Sequence, residues 1–456
     1  MSPVRVPSGD TAYMTEPDPT LVGEKQRRPG YAPPANIAVG RRGLHTRERI
    51  LECAAEVFLR NGYHATSIDT IARAADASRA TVYQYFPGKE AIFGELSATA
   101  EAAVLDHGRR LGRLGPTAEG LDNLYRWLTE WADIYDAHAA VFAEFPGIGT
   151  ATGLAVRDAG SAAAQFQLVI TERLRTAPLS GLHPDDAATV LNRVPHMVNL
   201  YRYRRMFPLP TPAAVSAGIA IATQVLLFPD TSDDALRGIA AAPLTPVRSV
   251  EPTAPGGMGV ELGGPQRSPI AHDVLAVSSQ LFAERGYYAV AMEDIAAKVG
   301  VGRATLYRYF RTKDKILAEL TRRALAQVER HAAALQDIAG SAVAGASADD
   351  LAAWLLGYVT FHRAYRGVIR AWFDGTVAEQ LADSDVGHGI GAMYDAVRAL
   401  VESATLPPGI DPAVASAIVL AILGRMTEPT PSQTGSHQEA ADLIMLLIDR
   451  LLYRGT

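Results

Sequence analysis

The chain has 456 residues, enough for two to four domains, and its 43 Lys and Arg against 49 Asp and Glu give a net charge of −6. That balance is silent on nucleic acid, which needs positive charge only where the phosphate backbone lies. The lone cysteine, Cys53, excludes an intrachain disulfide, and the start Met1-Ser2-Pro3-Val4-Arg5 has no signal-peptide apolar run, so a cytoplasmic location is the expectation.

Residues 1–44 are rich in Pro and Gly, carry the pairs Arg27-Arg28 and Arg41-Arg42, and read as a disordered arm. Ile50, Leu51, Ala54, Val57 and Phe58 follow helical spacing and predict a supporting helix over 46–61, stopped by Gly62. Ser67 is placed to cap the next helix through its hydroxyl, and with Thr66 it can donate to a phosphate. Ile68 with Ile71-Ala72 marks that short helix, and Asp76-Ala77-Ser78 breaks it. In the following octamer, residues 79–86, Val82 and Phe86 lie four apart and can face a core, which leaves Arg79, Ala80, Thr81, Tyr83 and Tyr85 outward. Helix, tight turn and outward helix make a helix-turn-helix.

The octamer returns as residues 303–310, with Arg79 falling on Arg303 at an offset of 224, and the match runs without a gap from Phe58 on Phe282 to Leu96 on Leu320. An ungapped repeat of that length is a duplicated domain. The copies are not identical. Copy 2 has Val290 and Ala291 where copy 1 has Thr66 and Ser67, so it is expected to lack a cap and two phosphate donors. Gly300 replaces Asp76 in the turn, Gly302 replaces Ser78 as cap, and Arg308 stands for Gln84 in the outward helix.

Phe58, Asn61-Gly62-Tyr63, Thr66 to Ala72, Arg79 to Phe86 and Lys89-Glu90 resemble the DNA-binding domain of the TetR family of bacterial transcription regulators. Phe282, Gly286-Tyr287, Ile295-Ala296, Arg303 to Phe310 and Lys313-Asp314 resemble it again. The resemblance implies an all-α chain of two tandem units. Each would be an N-terminal helix-turn-helix domain followed by a larger helical ligand-binding and dimerisation domain. Arg79 and Arg303 can present a forked donor to guanine O6 and N7, beside Thr81, Thr305, Ala80, Ala304, Gln84 and Arg308. Tyr83, Tyr85, Tyr307 and Tyr309 can donate to phosphate, and Lys89 and Lys313 are expected to meet the same backbone.

Beyond Leu96 the repeat persists more faintly, with Trp127 on Trp354, Ile134 on Phe361 and Val141 on Val368 at an offset of 227, then His183-Pro184 on Asp411-Pro412 at 228. The expected division is an arm at 1–44, helix-turn-helix domains at 45–96 and 268–320, helical domains at 97–229 and 321–456, and a Pro- and Gly-rich linker at 230–267. Trp127, Trp131, Tyr135 and Phe142, with Trp354, Tyr358, Phe361 and Phe373, are candidates to line pockets for a small apolar effector, although at helical spacing aromatics are more often core. Residues 184–207 with 212–228, and 412–426 with 438–453, match the last two helices through which the family pairs. The stretch 213–228 is short for a bilayer span, so no membrane partner is expected. No nucleophile elbow, metal-spaced His or Cys cluster or nucleotide fingerprint is present, so neither an enzyme nor a cofactor is expected.

Two readings follow. One is a ligand-responsive repressor in which the two halves pair within one chain on a DNA operator, with a further homodimer open. The other is an architectural or adaptor DNA-binding protein without effector, whose second DNA-binding domain is degenerate.

Overall fold

The computed structural model describes residues 41–143, 159–240, 268–342, 348–372 and 385–454. Among these residues every regular element is a helix. The first half runs α1 (Arg41–Asn61), α2 (Ile68–Ala74), α3 (Arg79–Tyr85), α4 (Lys89–Arg109), α5 (Ala118–Ala137), α6 (Ala139–Phe142), α7 (Ala159–Leu174), α8 (Pro184–Tyr203), α9 (Pro212–Leu227) and α10 (Asp233–Ala240). The second runs α11 (Pro269–Arg285), α12 (Met292–Val299), α13 (Arg303–Tyr309), α14 (Lys313–Ala342), α15 (Ala348–Ala364), α16 (Arg366–Trp372), α17 (Asp385–Glu402), α18 (Pro412–Arg425) and α19 (His437–Leu452).

Local chemistry sets many of these boundaries. Ser67 and Ser78 accept from the Thr70 and Thr81 amides at 3.1 and 3.0 Å, and Thr211 and Asp411 do the same ahead of Pro212 and Pro412. Ser436 and Glu439 form a reciprocal capping box at the start of α19. The duplication is visible in detail within the helical domains too. Trp127 Nε1 donates to the His107 carbonyl at 3.0 Å, and Trp354 Nε1 donates to the His331 carbonyl at 3.0 Å.

Three expectations about boundaries change. The supporting helix is already formed at Arg41, so residues 41–44 belong to α1, and Arg27-Arg28 lies outside the described residues. The linker does not begin at 230: residues 233–240 form α10, because Leu236 inserts fully into the core beside α5 and α9. The border at 320 falls inside a continuous helix, since α14 runs unbroken from the second DNA-binding domain to Ala342. Phe373 lies outside the described residues.

The halves meet through α8 and α9 against α18 and α19. A Cβ on Gly218 in α9 would lie 2.7 Å from Val414 Cγ1 in α18, so the close approach of these helices depends on that glycine. Arg193 crosses the seam to donate to the carbonyls of Arg425, Glu428 and Pro429 at 3.0, 3.1 and 3.3 Å. Arg450 returns the contact, donating to the carbonyls of Leu226 at 2.6 Å and of Ser180. Burial, with Arg425 nearby, lowers Arg193 to about 10, so it is still cationic at neutral pH. Asp186, in the first turn of α8, accepts from the Thr430 and Ser432 hydroxyls across the seam.

Two interior histidines make stability depend on pH. Burial, reinforced by Arg110, lowers His107 to about 3, and burial lowers His362 to about 4. An unfolded histidine takes its proton near pH 6.5 and the folded ones do not until about 4 or below, so the unfolded state binds more protons across that window. Stability is therefore expected to fall as pH drops from about 6.5 toward 4, by up to about 1.4 kcal/mol per pH unit for each histidine. Urea midpoints measured at pH 7 and 4.5 check this, and His107→Gln should flatten the difference.

Candidate nucleic-acid interface

The outward helices α3 and α13 are anchored by one fully buried residue each, Val82 and Leu306. Around these anchors Arg79, Ala80 and Gln84 are exposed, while Thr81, Tyr83 and Tyr85 are half-buried. In the second copy Arg303, Ala304, Tyr307 and Arg308 are exposed and Thr305 and Tyr309 half-buried. The turns that aim these helices require a left-handed residue, supplied by Asp76 at φ 46° and by Gly300 at φ 78°.

Each leading arginine is held by an acid from the preceding helix. Arg79 Nη1 lies 3.1 Å from Asp69 Oδ2, and its guanidinium lies 5.5 Å over the Tyr83 ring. Arg303 pairs in the same way with Glu293, 224 residues after Asp69. Both pairs are solvent-exposed, so they contribute little stability; their effect is to orient the fork. The carboxylates went unnoticed in the sequence. Their signal was an acid ten residues before the arginine in both copies.

Several candidate residues point elsewhere. Thr66 is buried and its hydroxyl donates to the Gly62 carbonyl at 2.7 Å, which ties down the turn and leaves no donor for a phosphate. Ser67 is exposed, and its oxygen caps α2. Lys89 folds back to donate to the carbonyls of Tyr63, His64 and Thr66 at 2.9, 3.1 and 2.9 Å, with its ammonium 4.6 Å over the Tyr63 ring. Lys313 repeats this with Tyr287 and Val290 at 2.7 and 2.8 Å. Both lysines fasten the loop before the reading unit and do not extend toward a backbone. The second copy lacks the side-chain cap at the start of α12, where Ala291 has no acceptor; a different tie is present there, with Asp294 Oδ2 accepting from the Ala291 amide at 2.8 Å.

The two DNA-binding domains touch. The His64 ring stacks on Tyr288 with centroids 3.7 Å apart and planes 19° apart, and these residues stand at equivalent positions of the repeat. Burial, with Lys89 and Lys313 close by, pushes His64 down to about 4, so the stack involves a neutral imidazole at physiological pH.

The aromatic candidates divide between the halves. Trp127, Trp131, Tyr135 and Phe142 are buried and pack on one another and on His107 and Phe166, with Trp127 stacked on His107 at 4.3 Å. They form core. In the second half Tyr358 and Phe361 line a cavity of about 290 Å³, with Trp354 stacked behind Tyr358 at 5.0 Å. Met197 and Tyr201 of α8 complete that wall from the first half.

A sequence profile described as "Bacterial regulatory proteins, tetR family" matches residues 50–96 and again 274–320. An uncharacterized HTH-type transcriptional regulator of Mycobacterium tuberculosis is 29% identical over 166 residues, covering 35% of this chain and 75% of that protein. The HTH-type transcriptional regulator UidR of Escherichia coli is 36% identical over 77 residues, covering 17% of this chain and 36% of that protein. Among solved structures, the TetR family transcriptional regulator PfmR from Thermus thermophilus is similar at 22% identity and a TM-score of 0.28, over 38% of this chain and 96% of that one. With the profile matched twice and each match folded as a helix-turn-helix ahead of a larger set of helices, the chain carries two helix-turn-helix domains of the tetR type in tandem.

Proposed function

We propose that the chain acts as a single-chain pseudo-dimer, a ligand-responsive repressor that places α3 and α13 in the two half-sites of one operator. The observation that carries this reading is the seam of α8 and α9 with α18 and α19, where one half meets the other through the helices the family uses to pair subunits. Arg79, Ala80, Thr81 and Gln84 would read one half-site and Arg303, Ala304, Thr305 and Arg308 the other, with Tyr83, Tyr85, Tyr307 and Tyr309 on phosphates. Because Gln84 and Arg308 differ, the half-sites are unequal. A ligand with higher affinity for the off-DNA arrangement would release the operator.

The test is stoichiometry on an operator selected from random DNA. Sedimentation should give one chain per duplex and footprinting two protected half-sites. Two chains on a two-half-site operator would overturn the pseudo-dimer. A protease site placed within residues 241–267 gives a second check, since the cut halves should still co-elute.

The contact of His64 with Tyr288 adds an expectation about spacing. Changing the distance between half-sites by two base pairs should weaken binding by roughly tenfold or more, the cost of about one lost contact or strained register. The double variant His64→Ala, Tyr288→Ala should shrink that penalty.

The architectural or adaptor alternative drew on the hydroxyls missing from the second copy. That cap is absent, but Asp294 ties the Ala291 amide and Arg303 keeps its acid partner, so the support is weakened. Steep salt dependence with little preference among sequences would favour it nonetheless.

A further inference from the structure

We infer that the cavity of the second half takes one small anionic amphiphile per chain, an apolar body with a carboxylate-type head, and that it acts on the second DNA-binding domain alone. Among the described residues the wall is apolar over Tyr358, Phe361, Ile369 and Leu420, while Arg366 and Arg425 face it together with the carboxylate of Glu428. His362, lowered to about 4 chiefly by burial, adds no charge at neutral pH. Burial raises Glu428, yet Arg425, Arg193, His362 and Arg366 outweigh it and hold the carboxyl below its usual range, so it stays ionised and offsets one cation only. Arg425 Nε is buried with no hydrogen-bond partner among the described residues. A partly dry wall with surplus positive charge and an unused donor favours an anion over a neutral ligand of the same shape. The volume, about 290 Å³, lies at the small end of ligand pockets and suits an aromatic or branched acid better than a long chain.

The first half cannot duplicate this site. At the offset of 227, Arg366 and Arg370 fall on Ala139 and Ala143, and at 228 Arg425 and Glu428 fall on Met197 and Leu200. All four charged lining residues are apolar in the first unit. Met197, moreover, is itself part of the second half's cavity wall, so the seam is needed to complete the site.

The route to DNA is short. Arg366, Ile369, Arg370 and Trp372 bring α16 to the cavity, and the other side of α16 lies on α11, the first helix of the second DNA-binding domain. A Cβ on Gly367 would sit 2.5 Å from the Ala283 amide nitrogen and 2.6 Å from the Ser279 carbonyl oxygen, so the two backbones touch with no side chain between them. Ser279 Oγ also donates to the Ala364 carbonyl at 2.9 Å, and Ala283 lines the cavity. An occupant that shifts α16 must shift α11 with it, because close-packed backbones cannot absorb the displacement.

Only the effect on DNA rests on the ligand-responsive reading, and binding is tested separately. The probes are benzoate, phenylacetate and 3-phenylpropionate with their primary amides, added to the full chain and followed by calorimetry and tryptophan fluorescence, Trp372 being in the wall. At least one acid should bind at one per chain and exceed its amide by about tenfold or more, the effect of one charge-assisted hydrogen bond. Arg425→Met, which installs the residue of the first unit and leaves the main-chain contact to Arg193 in place, should abolish the preference, and Arg366→Gln should reduce it. Amides that match the acids, two sites per chain, or no binding by any acid would overturn the proposal. Footprints with the bound acid should weaken first over the half-site of α13; equal loss at both would overturn the one-sided route. An acid that binds as described but leaves operator affinity unchanged would sink ligand-controlled release while the site itself stands.

Discussion

Replacing Arg79 with Ala is expected to weaken operator binding by roughly 10- to 100-fold, the discrimination carried by one bidentate guanine contact. Arg303→Ala should cost a similar factor, and base preferences should relax only in the half-site beneath the altered helix. The two arginines sit in separate domains on separate ligand surfaces, so the double variant should show nearly the product of the two losses. Asp69 and Glu293 sharpen the expectation. Each holds its guanidinium at the start of the outward helix, so on the proposed reading Asp69→Ala should lower affinity less than Arg79→Ala while broadening base preference. Quantitative binding to the selected operator and to single-base variants measures all four. A silent Arg303→Ala beside a damaging Arg79→Ala would make the second domain a structural partner, and the dimer would then have to come from two chains.

What the sequence showed plainly was local. Gly62, Ser67, Ser78 and Gly300 each impose a cap or a left-handed turn through their own backbone or hydroxyl, so their roles are written within a few residues of where they act. The doubled octamer exposed both reading helices for the same reason. Features that depend on distant chain were hidden. The Lys89 ammonium can fold back or extend on a flexible stem, and its partners are carbonyls 23 to 26 residues earlier, which no spacing rule selects. α10 is only eight residues long, anchored by the fully buried Leu236, and it runs straight into the Pro- and Gly-rich stretch that marks the linker. The cavity's charges come from α16, α18 and the turn after α18, and they converge only in the folded second half, with Met197 and Tyr201 of α8 closing the wall. Aromatic spacing found Tyr358 and Phe361 but also the four rings of the first half, because a pocket wall and a core share that pattern.

Lys89→Met should separate a fastening role from a phosphate contact, which makes it the most informative single change in the first domain. The side chain keeps most of its apolar stem on Tyr63 but loses every donor to three carbonyls of the loop between α1 and α2. Leaving such part-buried acceptors unpaired is expected to destabilise the first domain by about 3 kcal/mol, within the range for a charged donor removed from buried partners. Lys313→Met removes donors from two carbonyls, and Asp314 still accepts from the Tyr287 hydroxyl there, so its cost should be smaller. Operator affinity falls in either account, so affinity alone decides nothing. The slope of log affinity against log salt does. A lysine on a phosphate would take about 0.9 from that slope when removed. A lysine that fastens the loop leaves the slope unchanged and lowers the unfolding midpoint instead, and high protein concentration or low temperature should then restore binding without restoring any charge. A reduced slope with an unaltered unfolding midpoint would put Lys89 back on the DNA.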